Sequence, residues 1–158
     1  HSKDYVKVIG SGRGGSPASL QGREHLTTIP STKIAAEAAY KMAGITSKDV
    51  DFAEVHDCFT VAEVVDTEDL GFFEKGTGAT AAQNGETKLN GSISINPSGG
   101  LKSKGHPIGA TGVGQIVEVF EQLTGQSGER TVNDAKIGLT QNFGATGASC
   151  AVHIFQSV

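Results

Sequence analysis

Three short segments of the chain carry side chains that could do chemistry. They are His56-Asp57-Cys58-Phe59, Gly105-His106-Pro107 and Asn142-Phe143-Gly144. The first and the third follow predicted strands, and the second precedes a predicted helix. In open α/β sheets, ligands bind outside the carboxyl ends of the strands. The spacing therefore predicts that imidazole, thiol and amide groups meet around one cavity at one rim of a sheet.

Cys58 is predicted to lie two residues before the N-cap of a helix. The partial positive charge of a helix N-terminus favours a thiolate, and a nearby imidazole could exchange a proton with it. The alternative is a buried cysteine that behaves as a small hydrophobic residue. Its position beside two other polar segments favours the reactive interpretation.

His106 precedes Pro107 and a predicted helix whose first turns contain Gly109, Gly112 and Gly114. Each such glycine weakens a helix by up to about 1 kcal/mol relative to alanine. A sequence accepts that cost where a ligand or another backbone comes close. An imidazole here could donate to a developing oxyanion or act as a base toward a thiol. A capping or core histidine is the alternative.

The remaining candidates carry weaker signals. Asn142 is either a turn residue or an amide that orients a water or a carbonyl, and the spacing leaves both open. Cys150 and His153 lie within the last predicted strand and are interpreted as structural. His1 and His25 lie in predicted loops and give no signal. The sequence contains no C-x-x-C metal pair, and no metal site is expected.

The elements that must position these segments alternate between strands and helices. The predicted strands are Tyr5–Ile9, Asp51–Val55, Ser92–Ile95, Lys136–Gln141 and Ser149–Phe155. A tight turn at Asn142–Gly147 joins the last two. The order β-α-β-α-β-α-β-β predicts an α/β fold with helices on the faces of a mixed sheet, in which mostly parallel strands are closed by an antiparallel hairpin.

Three helices are predicted from end signals and from helical spacing of apolar residues. The first helix is predicted to begin after Pro30, with Ser31 as its N-cap, and to end at Gly44. The second is predicted to have Thr60 as its N-cap, in a capping box with Glu63, and to end at Gly71. The third is predicted to begin with Pro107 as its first residue. The apolar positions expected to face the core are Ile34, Ala35, Ala38, Ala39 and Met42, then Val61, Val64, Val65 and Leu70, then Ile108, Val113, Ile116, Val117, Phe120 and Leu123.

Two glycine-rich segments are interpreted as loops. Residues 74–91 are polar and contain two Asn-Gly turn dipeptides. Gly10–Gly15 matches G-x-G-x-x-G, but a dinucleotide site needs a helix that opens on the last glycine. Pro17 and a loop-like stretch intervene instead, so a glycine-rich exit from the first strand is favoured over a nucleotide site.

Composition narrows the class of protein. The 158 residues are enough for one domain, or for one half of something larger. A net charge of −4 gives no electrostatic footprint for nucleic acid or an anionic membrane. No apolar run approaches the roughly 18 residues of a membrane span, and no signal peptide is recognisable. Two cysteines do not make a disulfide framework, so the reducing cytoplasm is the expected location.

Taken together, these residues resemble the C-terminal half of a thiolase. The markers are Val55-His56-Asp57-Cys58-Phe59-Thr60, Asn96-Pro97-Ser98-Gly99-Gly100-Leu101, Lys104-Gly105-His106-Pro107 with Gly109-Ala110-Thr111-Gly112, and Asn142-Phe143-Gly144. The resemblance is to the sterol-carrier-protein-2 type thiolases and their bacterial and archaeal acetyl-CoA acetyltransferase relatives. It runs from Tyr5 to Phe155, and residues 1–158 are accordingly interpreted as one thiolase C-terminal domain.

The resemblance implies a fold and a chemistry. Thiolases pack two similar β-α-β-α-β-α-β-β halves helix to helix, usually as a dimer. They move an acyl group onto a nucleophilic cysteine and then condense it with, or release it from, a coenzyme A thioester. Coenzyme A thioesters would be substrates here, with no bound cofactor. The implied partners are an N-terminal thiolase half, further copies of the full enzyme, and a zinc-containing OB-fold protein of the kind found with this branch.

The resemblance also implies roles for the candidate residues. His106 would activate the nucleophilic cysteine and help to form an oxyanion hole. His56 would replace the loop asparagine that helps ordinary thiolases to bind the thioester oxygen. Cys58 would move the α-proton of the substrate. Asn142 and the glycines Gly105 and Gly144 would support the substrate or the oxyanion.

Two departures from ordinary thiolases shape the expected function. Asn142 stands where they carry an acid/base cysteine in a C-x-G loop, and Cys58 is expected to take over that role. The nucleophile belongs to the family's N-terminal half, in a C-x-S motif that neither Cys58 nor Cys150 fits. The chain starts where that half would have just ended, so it is expected to be inactive by itself.

Two other functions remain open at the level of sequence. One is a thiolase-fold aldolase that cleaves a β-hydroxyacyl-CoA, although Cys58 and Gly105-His106-Pro107 favour thiolysis or condensation. The other is a non-catalytic scaffold that binds a partner, which would tolerate mutation of the candidate residues.

Overall fold

A five-stranded mixed sheet forms the centre of the structure, a computed structural model that describes residues 5–158. The strands are β1 (Val6–Gly15), β2 (Phe52–Glu54), β3 (Ser94–Ile95), β4 (Ile137–Gly144) and β5 (Ser149–Ser157). They lie in the order β1-β5-β4-β2-β3. The predicted α/β class is confirmed. The sheet is not mostly parallel, however: β2 pairs in parallel with β3 and β4, whereas β5 pairs antiparallel with β4 and β1.

Five helices and three single 3₁₀ turns connect the strands. The helices are α1 (Pro30–Ala43), α2 (Thr60–Asp69), α3 (Gly78–Gln83), α4 (Gly100–Lys104) and α5 (Thr111–Leu123), and the 3₁₀ turns are Leu20–Gly22, Ser47–Asp49 and Gly128–Arg130. The main core lies between the sheet and the α1–α2 side, and a smaller apolar cluster lies under α5. Within residues 5–158, no helix has the length and the apolar content needed to cross a membrane.

The glycine-rich segment after Ile9 belongs to β1, so the predicted strand exit is wrong. Gly10, Gly12 and Gly14 face α1, and the strand continues to Gly15. A Cβ built on Gly12 would overlap the carbonyl oxygen of Ala35, and one on Gly14 would overlap that of Ser31. The glycines therefore let a strand and a helix pack backbone to backbone.

The hairpin of β4 and β5 is longer than predicted. Asn142–Gly144 continues β4, in which Asn142 pairs with Ala151, and the turn is confined to residues 145–148. Ala145 and Gly147 supply the left-handed backbone that this turn requires (φ 55° and 86°). β3 is shorter than predicted and contains only Ser94 and Ile95. Asn142 is thus a strand residue that faces out of the sheet.

The predicted N-caps Ser31 and Thr60 are wrong. Ile29 and Phe59 occupy the N-cap positions of α1 and α2, and neither helix has a side-chain cap. The Ser31 hydroxyl instead donates to the carbonyl oxygen of Gly147. The Glu63 carboxylate accepts from the side-chain amide of Asn96 (2.8 Å), so the capping box does not form.

The ends of the helices are closer to prediction. Gly44 ends α1 in the left-handed conformation (φ 70°), and Gly71 follows the end of α2 with φ 83°. α5 begins at Thr111 rather than at Pro107. α3 and α4 lie in glycine-rich segments that gave no helical signal, because helices of five or six residues are stabilised by their surroundings and not by their own sequence.

Most of the apolar stripe predicted for α5 faces away from the sheet, although Leu123 packs against the smaller apolar cluster as expected and Phe120 is half-buried. Val113, Ile116 and Val117 are exposed, and so is Ile108 in the preceding turn. The helix side that faces the sheet is largely polar and buried, and it comprises Thr111, Gln115, Glu118, Val119 and Gln122. Four other residues that were predicted to face the core are also exposed: Ile34, Ala38 and Met42 of α1 and Val61 of α2.

Hydrogen bonds stabilise the polar residues on the sheet-facing side of α5. Gln115 donates to the carbonyl oxygen of Gln141 (2.9 Å), and Gln122 accepts from the backbone amide of Val132 (2.9 Å). Buried polar groups are tolerated when they are paired in this way. The helix is therefore anchored through polar contacts, and its apolar side is left without cover among the described residues.

Candidate active site

The end of β2 leads directly into the first site segment. The backbone amide of His56 donates to Gln141 Oε1 (2.9 Å), and that of Val55 donates to Asn96 Oδ1 (2.8 Å). Gln141 is buried in β4 and also donates to Asp66 Oδ1 (2.8 Å) and to Thr32 Oγ1 (3.0 Å). The loop after β2 is thus attached to both neighbouring strands.

His106 lies between α4 and α5 and is oriented by the first residue of α5. Its Nδ1 lies 2.7 Å from Thr111 Oγ1, and the Thr111 hydroxyl also donates to the carbonyl oxygen of Pro107 (3.3 Å). A hydroxyl has one proton, so the oxygen then accepts from Nδ1–H of the imidazole. That tautomer leaves Nε2 of His106 able to accept a proton, as a general base requires.

The imidazoles of His56 and His106 lie edge to face, with their centroids 5.0 Å apart. His56 also packs against the ring of Phe143, at a centroid distance of 4.5 Å. Burial lowers the pKa of His56, and the neighbouring His106 lowers it further, while Asp57 and a hydrogen bond with Asn142 act in the opposite direction. His56 is therefore a neutral imidazole near pH 7.

Cys58 is half-buried and packs against the core on the α1–α2 side. Burial raises the pKa of its thiol, and the carboxylates of Asp66 and Asp57 raise it further, although the backbone amide of Phe59 acts in the opposite direction. The sequence-based expectation of a thiolate is therefore wrong, because desolvation and two carboxylates outweigh the nearby helix terminus. Cys58 is a thiol near pH 7.

One cavity of about 800 Å³ brings the predicted residues together. His56, Cys58, His106, Asn142 and Gly144 all line it. Gly105 does not line it, and instead links α4 to His106 with a left-handed backbone (φ 77°). Apolar side chains that include Phe59 and Ile108 form part of its wall, and the cavity is open on one side.

Asn142 has a structural link with α5 that the sequence did not reveal. A Cβ added at Gly112 would lie 3.0 Å from Asn142 Nδ2, so this glycine leaves room for the amide. Asn142 also lines the same cavity as His56, so its amide lies beside both the helix and that cavity. The turn interpretation of Asn142 is excluded.

Several residues of this region carry no functional signal in the sequence. His153 was interpreted as structural but lines the cavity, whereas Cys150 is buried as predicted and burial raises its pKa to about 11. His153 alternates with the apolar residues of β5, a signal that would have placed it on the opposite face of the sheet. Gln115 and Gln141 are buried polar residues in otherwise apolar segments, and only their burial reveals their importance.

The structure holds no candidate metal centre among residues 5–158, where no group of three or more His, Cys, Asp or Glu side chains is suitably arranged. His25 lies in an exposed loop beside Glu24, outside the site. His1 falls outside the described residues.

Comparisons with known proteins agree with the fold. A model of the family described as thiolase C-terminal domain-like matches residues 12–157. An acetyl-CoA acetyltransferase of Methanothermobacter thermautotrophicus is 49% identical over 151 residues, which cover 96% of this chain and 39% of that protein. Sterol carrier protein 2 of Homo sapiens is 46% identical over 117 residues, which cover 74% of this chain and 21% of that protein.

A solved structure described as an Ltp2-ChsH2(DUF35) aldolase is similar with a TM-score of 0.85 and 21% identity, over 96% of this chain and 39% of that one. That likeness concerns the fold alone. The chain spans less than half the length of the curated relatives named above. A family model that matches nearly the whole chain and a relative of 49% identity lead to one conclusion: this chain belongs to the thiolase C-terminal domain-like family.

Proposed function

We propose that this chain is the C-terminal half of a thiolase-type acyltransferase site, which acts on coenzyme A thioesters by Claisen condensation or thiolysis. The observation that carries the proposal is the 5.0 Å pair of imidazoles, His56 and His106, in one cavity with the Cys58 thiol. The relative named acetyl-CoA acetyltransferase supports acetyl-CoA C-acetyltransferase or 3-ketoacyl-CoA thiolase activity.

In the first proposed step, His106 acts on a cysteine supplied by the other half of the enzyme. Nε2 of His106 takes the thiol proton, and the resulting thiolate attacks the carbonyl carbon of an acyl-CoA thioester. The C–S bond to coenzyme A then breaks, and the coenzyme A thiolate leaves with the proton that His106 returns. The acyl group is now bound to the cysteine as a thioester.

In the second proposed step, Cys58 exchanges a proton with the α-carbon of a second thioester. Thiolysis starts from the 3-ketoacyl-CoA: the cysteine that His106 activates attacks the keto carbon, and the carbon–carbon bond breaks. The Cys58 thiol protonates the α-carbon that leaves, and coenzyme A then takes the acyl group from the cysteine. For condensation, Cys58 first loses its proton to solvent and then takes the α-proton of the second thioester. The α-carbon attacks the carbonyl carbon of the acyl-cysteine, and the C–S bond to that cysteine breaks. The raised pKa of Cys58 suits the donor role. Neutral His56 retains one N–H that can donate to the thioester oxygen, with Asn142 and Gly144 as support.

The proposed partner is an N-terminal thiolase half, which would supply the nucleophile. Cys58 is followed by Phe-Thr and Cys150 by Ala-Val, so neither fits C-x-S. Cys150 is also buried, with a raised pKa. The uncovered apolar side of α5 (Ile108, Val113, Ile116 and Val117) is a suitable docking surface for that half. The isolated chain should therefore be inactive.

Further properties of the complete protein are part of the same proposal. Two free cysteines are consistent with work in the reducing cytoplasm. A homo-oligomer follows the habit of the family. The name of the aldolase structure joins Ltp2 to ChsH2(DUF35), which supports a second protein as partner, and a zinc-containing OB-fold protein is our candidate.

The test is an acyl-transfer assay with acetoacetyl-CoA and coenzyme A, and in reverse with acetyl-CoA. It compares the chain alone, the chain with the N-terminal half, and the same pair carrying His106→Ala or, as a control, His25→Ala in its exposed loop. We expect turnover only with both halves, lost in His106→Ala and kept in His25→Ala. Turnover by the chain alone would overturn the half-site proposal.

Two other results would favour the alternatives. Cleavage of a β-hydroxyacyl-CoA to an aldehyde or ketone and an acyl-CoA, without acyl transfer, would favour a thiolase-fold aldolase. Unchanged activity in His106→Ala would favour a scaffold role for this half.

A further inference from the structure

Two buried carboxylates flank His56 and do not line the site cavity. Glu54 ends β2 and is 1% exposed, and Asp57 follows His56 and is 3% exposed. Buried carboxylates are costly unless several donors satisfy them. Both side chains point to the same neighbouring segment, residues 96–104, which leads to His106.

Glu54 binds both sides of helix α4. Its Oε1 accepts from the backbone amide of Ser98 (3.1 Å), and its Oε2 accepts from the Ser98 hydroxyl (2.7 Å) before the helix. The same Oε2 accepts from Nζ of Lys104 (3.2 Å), the last residue of the helix. One carboxylate thereby fixes the distance between strand β2 and both ends of α4.

Asp57 holds the beginning of the same helix. Its Oδ1 accepts from the backbone amide of Leu101 (2.8 Å), and the neighbouring Gly100 has a left-handed backbone (φ 63°). A Cβ at Gly100 would overlap the Asp57 carboxylate. The contact therefore requires glycine at position 100, for space as well as for conformation.

The segment held by these carboxylates determines where His106 lies. Only Gly105 separates Lys104 from His106, and the backbone amide of Gly105 donates to the carbonyl oxygen of Leu101 in α4 (2.9 Å), so the end of the helix leads directly to the imidazole. His56 is attached to the same strand end that carries Glu54 and Asp57. We propose that Glu54 and Asp57 are positioning residues that set the distance between the imidazoles of His56 and His106 by holding α4 against the end of β2.

The matched pair of variants is Glu54→Gln and Asp69→Asn. Asp69 is a buried carboxylate with an equivalent set of partners, the backbone amide of Ile29 (2.6 Å) and Nζ of Lys75 (2.7 Å), but these hold the segment before α1. Both substitutions remove a buried charge that is paired with a lysine. Only the first should change the relation of the two imidazoles.

The structural readout is the nuclear Overhauser contact between the ring protons of His56 and His106 in the chain itself. We expect it to be lost or much weakened in Glu54→Gln and kept in Asp69→Asn. Lys104→Gln provides a milder second variant if Glu54→Gln does not fold, because the Lys104 side chain is 38% exposed. Lys104→Arg should restore the contact, because it keeps the charge.

The kinetic readout rests on the proposed function, whereas the ring contact does not. In the enzyme with both halves, Glu54→Gln should lower kcat by about 10- to 100-fold, because small displacements of catalytic groups have effects of that size. KM should not change, because Glu54 does not reach the substrate cavity. Asp69→Asn should leave both parameters as they are.

A ring contact that persists in both Glu54→Gln and Lys104→Gln would overturn the inference, and so would its equal loss in Asp69→Asn. If the wild-type enzyme transfers no acyl group but Glu54→Gln still separates the rings, then the positioning role stands and the proposed function is overturned. The two failures are thus distinguishable.

Discussion

The uncovered apolar side of α5 can be tested by placing a charge on it. Val117 is 50% exposed, and Ile34 on α1 is 48% exposed on the opposite side of the sheet. Both lie on long helices, so Val117→Glu and Ile34→Glu are a matched pair. If the N-terminal half docks on α5, then only the first substitution should prevent its binding.

The expected size of the effect follows from burial. Completing the burial of a half-exposed valine is worth about 1 kcal/mol. An unpaired carboxylate in the same place costs about 3–5 kcal/mol more. The sum corresponds to a loss of affinity of about 10³-fold or more. Substitutions at exposed positions change stability by only about 0.5 kcal/mol, so the isolated chain should stay folded with Val117→Glu.

The assay is calorimetric titration of each variant with a separately produced N-terminal half, alongside urea unfolding of each variant alone. We expect Ile34→Glu to bind as the wild type does. The reasoning is refuted if Val117→Glu binds with wild-type affinity, or if Ile34→Glu weakens binding by as much. Unfolding of the isolated chain by Val117→Glu would refute it as well, since that would place Val117 in the core.

Other substitutions test the site and the packing. Cys58→Ala should lower acyl transfer by the complete enzyme about 10²–10⁴-fold, and a loss of under about threefold would reduce Cys58 to packing. Burial raises the pKa of Asp66, so the folded chain binds more protons than the unfolded chain above the ordinary aspartate pKa of about 3.9. The stability that this proton contributes is complete below that pH and is lost as pH rises toward the folded pKa. The advantage of wild type over Asp66→Asn in urea unfolding should therefore shrink as pH rises above about 4, and a constant difference would contradict a raised pKa. Gly12→Ala should destabilise the chain by about 1–3 kcal/mol or more, because its Cβ would overlap the backbone of α1. Gly114→Ala, with open space around it, should stabilise the isolated chain by about 0.5–1 kcal/mol in the same assay, and equal effects of the two would contradict the packing.

The order of the strands and of the three longer helices was predictable from local patterns, and so was the meeting of three distant segments. Hydrophobic alternation and turn residues locate strands, and the carboxyl ends of β2 and β4 lie side by side because these strands pair in parallel. His56 and Asn142 follow or end these two strands. The proximity of these two residues follows from the pairing of the strands alone, so it could be predicted from the sequence.

The orientation of α5 was not predictable in the same way. Helical spacing identified the apolar residues Val113, Ile116 and Val117 correctly as one side of a helix. It could not say that the sheet would take the other side, with Gln115 and Glu118. A periodic pattern indicates which residues share a face, but it does not identify what covers that face. In α5 the polar side faces the sheet and the apolar side is exposed, so hydrophobic periodicity alone does not show which side packs on the sheet.

The predicted starts of the helices were wrong for a related reason. Ser31, Thr60 and Glu63 have the side chains that cap helices, but each finds a tertiary role or leaves the helix end without a side-chain cap. Capping preferences are worth about 1 kcal/mol, and a buried hydrogen bond across the fold can match that. The strand glycines of β1 were missed because close backbone packing on α1 depends on a partner far away in the sequence.

The protonated state of Cys58 has a consequence for the durability of the protein. Peroxides and alkylating reagents attack thiolates, so a raised pKa slows both kinds of damage at neutral pH. Desolvation, together with the nearby Asp57 carboxylate, keeps the sulfur in its less vulnerable form. In the proposed function, the same surroundings would keep Cys58 ready to donate a proton and would spare it from oxidation between turnovers.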